Sequence, residues 1–182
     1  MQIGLIAQCG RASRFFVGIL LLCVALLPAV AGSAGTPSPI KLAIFDFELE
    51  DLSAGPGESP ADTLLLKQIT DDARRMIADS GRYSLVDISG ADAEAVKGRG
   101  LHRCNGCDAG IALKLGAERS FVGFVTRISR TEYMVRIQIS DTRTGAVISD
   151  SQTGLRMGAD YSWNRGIASL IKLRLLGDQN PR

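Results

Sequence analysis

The chain has 182 residues, 46% of them hydrophobic and 22% charged, which excludes a disordered protein and suits a single folded domain. Its formal charge is +2, but two of its 21 bases, Arg11 and Arg14, lie in an acid-free stretch of residues 1–31, and the other 19 match the 19 acids. A neutral remainder carries no electrostatic footprint for nucleic acid or anionic lipid, and a single histidine, His102, excludes the two-His zinc sites of hydrolases.

Residues 1–31 read as a secretory signal. Arg11 and Arg14 precede an apolar run from Phe15 to Leu27, and Pro28 then breaks any helix. Ala29-Val30-Ala31 places small residues where a signal peptidase reads them. The run before Pro28 is about 13 residues, short of the roughly 20 that span hydrocarbon. Cleavage is therefore expected, with no stable membrane insertion afterwards. A lipoprotein is disfavoured, because Leu22 precedes Cys23 where a small residue is needed. Residues 32–39 are small, polar and Pro-containing, a flexible mature N-terminus. Residues 40–176 form one α/β domain, and 177–182 a C-terminal tail.

Ile40 to Phe47 is a near-continuous apolar run, suited to a buried central strand. Glu48 to Pro60, with Gly55-Pro56-Gly57, reads as a loop. Asp62 or Thr63 caps a helix to about Ser80, with Leu65, Ile69, Met76 and Ile77 at helical spacing and Gly81 as its stop. Tyr83 to Ile88 is a second strand, and the β-α-β order makes the pair parallel. Ala91 to Val96 and Cys107 to Leu115 are short helices, the second closed by Gly116. The period then changes to 2. Ser120 to Ser129 alternates, and Tyr133, Val135, Ile137 and Ile139 share one face of the next strand. Asp141 to Gly145 turns into a strand from Ala146 to about Gln152. Asp160 caps a last helix with a stripe of Ile167, Leu170, Ile171 and Leu175. The order β-α-β-α-α-β-β-β-α implies one mixed sheet of about five strands with helices packed on it, an α/β fold.

Several of these stretches carry a resemblance. They are Leu42-Ala43-Ile44-Phe45-Asp46-Phe47, then Ser80-Gly81-Arg82-Tyr83-Ser84-Leu85-Val86-Asp87, then Ile111 to Ala117 leading into Phe121-Val122-Gly123, and the Asp141…Thr144-Gly145 turn. Together they resemble the amino-terminal α/β domain of TolB proteins and the related domain of curli-secretion lipoproteins. More specifically, the chain resembles a proteobacterial family of small secreted proteins of unknown function, in which Cys104 to Cys107 and Met157 to Trp163 look like signature stretches. The resemblance implies fold and envelope location, and it brings no catalytic residue. The propeller that follows this domain in TolB and the lipidated Cys of the curli proteins have no counterpart here.

The chemical motif is Cys104-Asn105-Gly106-Cys107. Cys9 and Cys23 leave with the signal, so this pair alone enters an oxidising compartment. One reading is a local disulfide. A second is a redox-active pair, its thiolate favoured by a helix N-terminus, although no Pro stands to face the sulfurs as in thioredoxins. A third is a metal site from His102, Cys104, Cys107 and Asp108, with no further cluster to close a tetrahedron. Covalent haem attachment is excluded, since Asp108 stands where His is required.

Two other groupings stand out. Asp46, Glu48, Glu50 and Asp51 cluster after the first strand, either a solvated acidic loop or a site for a cation or basic partner. Tyr161, Trp163 and Arg165 are candidate interface anchors, although packing of Tyr161 and Trp163 on the sheet is the favoured reading. Arg127, Arg130, Arg136 and Arg143 read as a solvated sheet face.

The functional expectation is an exported, periplasmic, non-catalytic binding or assembly module of a Gram-negative envelope. Its partner would be another envelope protein, and no cofactor is implied. The alternative is a thiol-disulfide or metal-handling accessory using Cys104 and Cys107.

Overall fold

The structure, a computed structural model, describes residues 38–55, 57–91, 96, 100–104, 106–156 and 161–177. Its strands are β1 (Ile40–Ile44), β2 (Glu48–Asp51), β3 (Tyr83–Leu85), β4 (Arg119–Arg127), β5 (Glu132–Asp141) and β6 (Val147–Arg156). Its helices are α1 (Pro60–Asp79), α2 (Cys107–Lys114) and α3 (Tyr161–Leu170), with a 3-10 turn at Leu101–Arg103 and a π turn at Ile171–Leu175. The six strands form one mixed sheet in the order β3-β1-β4-β5-β6, with β2 also paired to β4. β1 is parallel to β3 and β4, while β4-β5-β6 is an antiparallel meander. The expected mixed α/β fold is therefore present.

The extra strand corrects the reading of Glu48–Asp51 as loop. Ile44 faces Phe121 and Glu48 faces Phe124. Four steps on one strand thus span three on the other, which is a β-bulge at Phe45–Phe47. The inserted residue flips the side-chain alternation. Phe45 joins one core and Phe47 the opposite one, although both are odd-numbered.

The sheet is covered on both faces. Leu42, Ile44, Phe47, Phe121, Val125, Val135, Ile137 and Ile139 pack against Leu66, Ile69, Ala73 and Ile77 of α1 and Trp163, Ile167 and Leu170 of α3. The opposite face is smaller: Ala43, Phe45 and Val122 pack with Leu101, Ala112 and Ala117. Each fully buried Leu, Ile, Val or Phe contributes about 1.5–3 kcal/mol relative to exposure, so the first face carries most of the stability.

Helix α1 starts one turn earlier than expected. Ser59 is its N-cap, its hydroxyl accepting from the Asp62 N–H, while the Asp62 carboxylate accepts from the Ser59 N–H, and Pro60 follows. Asp62 therefore closes a capping box rather than capping the helix itself. Gly81 ends the α1 region at φ +67° and Gly116 the α2 region at φ +81°, in the left-handed conformation that favours glycine. β3 stops at Leu85, three residues short of the expected Ile88. Asp141 organises the last turn: its carboxylate accepts from the N–H groups of Arg143 and Thr144. The expected signal, most of the helix at 91–96 and the Asp160 cap lie outside the described residues, as does the tail beyond residue 177.

Candidate functional site

Cys104 and Cys107 are disulfide-bonded, their Cα atoms 5.5 Å apart. Gly106, at φ +90°, makes the tight turn between them, and the Cys107 N–H donates to the Cys104 carbonyl at 2.8 Å. Cys107 is the first residue of α2. Both sulfur-bearing residues are half-buried and pack on the smaller core. The bridge thus fastens the 3-10 turn to α2. That turn is held from the other side as well: the Leu101 N–H donates to Glu48 Oε1 of β2 at 2.7 Å.

Asp108 is 2% exposed and accepts a hydrogen bond from the Ser120 hydroxyl, tying α2 to β4. Bridged sulfurs have no thiolate to offer a metal, and the Asp108 carboxylate is occupied within the protein. Among the described residues, no group of three or more His, Cys, Asp and Glu is arranged to hold a metal. The His102 side chain lies outside the description, as does that of Tyr161.

Trp163 packs on the sheet. It is 4% exposed, in the larger core, and meets Tyr133 edge-on at 5.7 Å between ring centroids. Arg165 is exposed on α3.

Three acids of the cluster have internal partners, Glu48 through the Leu101 N–H. Asp46 pairs with Arg74 at 2.9 Å, and Arg74 also donates to the Ile44 carbonyl at 2.8 Å. Asp51 and Asp62 both bind Arg127, at 2.9 and 2.6 Å. The Arg127 side chain is 13% exposed, donates to the Gly57 carbonyl at 3.2 Å and lies 5.8 Å from the Tyr133 ring centroid. It is therefore a clamp joining β2, β4, β5 and the start of α1, not part of a solvated basic face. Its pKa is raised, by Asp62 first. The Asp51 carboxyl lies below its ordinary value, through hydrogen bonds from Ser53 and then from Arg127. Burial pushes the Asp62 carboxyl up, but Arg127 and Ser59 together draw it below that value. Arg136 conforms to the solvated reading, pairing with Asp150 across β5 and β6 at about two-fifths exposure.

The clamp was missed because its signal is weak. An Arg closing the apolar Phe121 to Val125 run and a Ser59-x-x-Asp62 box are the two hints the residues offer.

Two hollows meet at Arg74 and Asp46. One, about 590 Å³, lies beyond the C-terminal ends of β1 and β3 and is lined by Leu85 to Ser89. The other, about 680 Å³, runs between α1 and the β1–β2 junction, past Phe47, Leu49, Leu66 and Thr70. In open α/β sheets ligands collect at strand C-termini. Here β2 extends along β4 past the end of β1, and the larger hollow lies beside it.

Residues 40–175 match DUF3280, described as a protein of unknown function (DUF2380). The chain belongs to the DUF3280 family. No curated protein sequence matches it. This DUF3280 chain is similar to the LpoB C-terminal domain from Salmonella enterica, at 16% identity over 68% of this chain and 87% of that one, with a TM-score of 0.47. It is similar to lipoprotein GNA1162 from Neisseria meningitidis, at 12% identity over 79% and 100%, TM-score 0.46. It is also similar to TolB from Acinetobacter baumannii, at 14% identity over 76% of this chain and 29% of TolB, TM-score 0.41. A family of unknown function is what the residues led one to expect. No helix among the described residues is long and apolar enough to cross a membrane.

Proposed function

We propose that this DUF3280 chain is exported and works as a non-catalytic binding or assembly module that engages another protein of a Gram-negative envelope. One observation carries the reading. Where an α/β enzyme would place its reacting groups, three aspartates here are already engaged: Asp46 with Arg74, and Asp51 and Asp62 with Arg127. General acid–base work needs a titratable group aimed at a substrate, and these are aimed at one another. Residues 1–31, read as a cleaved signal, support the periplasmic setting.

The test is photo-crosslinking in intact cells from probes at exposed positions around the surface. A discrete adduct with another envelope protein, kept in a Cys104→Ser/Cys107→Ser variant, is the expected result. Absence of any adduct overturns the reading. So does a purified cellular protein whose mass shows residues 1–31 retained in the cytosol.

A second reading rests on the position of Cys107 at the first residue of α2, where a helix N-terminus favours thiolate. A thiol-disulfide accessory would lose its function in the double Ser variant while keeping its stability.

A further inference from the structure

Among the described residues, no strand pairs with the outer edge of β2, which is set in a groove. The Leu52 N–H donates to the Arg127 carbonyl, and Asp51 is level with Arg127. In a parallel pair this means Glu50 and Leu52 turn their backbone groups toward β4, while those of Leu49 and Asp51 turn away. The Phe47 N–H points the same way and is taken by the Thr70 hydroxyl oxygen at 3.0 Å. The Ile44 carbonyl on that side is taken by Arg74. β3, which covers this edge along β1, ends at Leu85, level with Leu42. Among the described residues no strand lies against Leu49 and Asp51.

The groove of about 680 Å³ lies beside this edge. Leu49 and Leu66 make its apolar wall, both packed on the larger core. On the rim, Lys67 is paired with Asp71 at 2.8 Å and Arg74 with Asp46 at 2.9 Å. Glu48 and Glu58 remain, Glu48 accepting from the Leu101 N–H and Glu58 from the Thr63 hydroxyl, so the rim's outstanding charge is negative. Backbone groups of an open edge bind an extended segment by strand addition, and a flanking hollow receives its alternate side chains.

We infer that β2 and this groove dock an extended segment of the partner protein, added as a strand beside Leu49 and Asp51. The segment has alternate apolar residues seated against Leu49 and Leu66 and a Lys or Arg facing Glu58. This rests on the binding-module reading and names its surface.

The test uses the chain as purified from the cell and a fluorescein-labelled hexapeptide of alternating Lys and Val. Binding is followed by anisotropy and by amide NMR shifts. The expected result is binding that shifts the Leu49 and Asp51 amides and is lost when alternate peptide nitrogens are methylated. Glu58→Lys should weaken it about twofold to fivefold, the range of an exposed ion pair. Leu49→Pro removes an outward N–H that β4 does not use, and should weaken it about tenfold; Glu58→Lys, on the exposed rim, keeps the test alive if Leu49→Pro misfolds. Equal binding of a Glu/Val peptide, indifference to methylation, or shifts confined to β6 would overturn the inference. Crosslinking in cells separates the two claims. An adduct from Lys67 whose partner peptide is an extended basic segment supports both. An adduct from Gln152 of β6 alone removes the groove and leaves the module. None from either position removes both.

Discussion

The Phe47 ring occupies the place where a side chain on Gly123 would be. A Cβ built on Gly123 would overlap Phe47 Cε1 and its ring neighbours. The β1–β2 bulge therefore depends on a missing side chain in the neighbouring strand. It depends equally on Thr70, whose hydroxyl donates to the Leu66 carbonyl at 2.7 Å while accepting from the Phe47 N–H.

Gly123→Ala should destabilise the fold by about 1–3 kcal/mol, the usual cost of overpacking a core. The measurement is urea unfolding followed by the emission of the sole tryptophan, Trp163. A second change, Phe47→Leu, should recover part of the loss when added to Gly123→Ala. Recovery would locate the clash at this ring, and full additivity of the two losses would refute it.

Thr70→Val keeps the volume and removes the acceptor. The buried Phe47 N–H is then left without a partner, which costs about 1–3 kcal/mol. Thr70→Ser should restore most of the stability, because it returns the oxygen. Equal stability of the Val and Ser variants in thermal unfolding would mean the hydrogen bond is not needed.

The Arg127 clamp should show in the pH dependence of stability. Asp51 and Asp62 titrate below their ordinary value of 3.8 when folded. A depressed folded pKa gives a contribution that is complete above the unfolded value and lost as pH falls through the folded one. Stability should therefore hold from neutrality down to about pH 4 and drop below it. Arg127→Met leaves two carboxylates without their cation and should cost about 3 kcal/mol, the lower end for breaking a largely buried pair. It should also flatten the acid limb of the profile. An unchanged limb in that variant would show that other groups set the acid response.

Cys104→Ser with Cys107→Ser should lower stability by about 2 kcal/mol, the chain-entropy value for so short a loop. A structural bridge has a reduction potential below about −300 mV, and a redox-active one lies well above it. Titration against a dithiol buffer reads this directly. A potential well above that limit would move the assignment to the thiol-disulfide reading.

Much of the architecture was legible from residues alone because its causes are local. The α1 stripe, the alternation through β4 and β5, the Asp141 turn and the Gly81 and Gly116 stops rest on spacings of two to four residues. The Cys pair, three apart, was legible for the same reason. The bulge, the clamp and the groove were not. Their deciding contacts join residues far apart in sequence: Phe47 with Thr70, 23 positions on, and Asp51 with Arg127, 76 positions on. Nothing in the local pattern says that Arg127 finds two carboxylates, or that β3 stops early enough to leave Leu49 and Asp51 without a neighbouring strand among the described residues. A residue's type and spacing determine which face it prefers. Only packing the sheet between its helices decides which charges are consumed inside and which backbone groups remain for a partner.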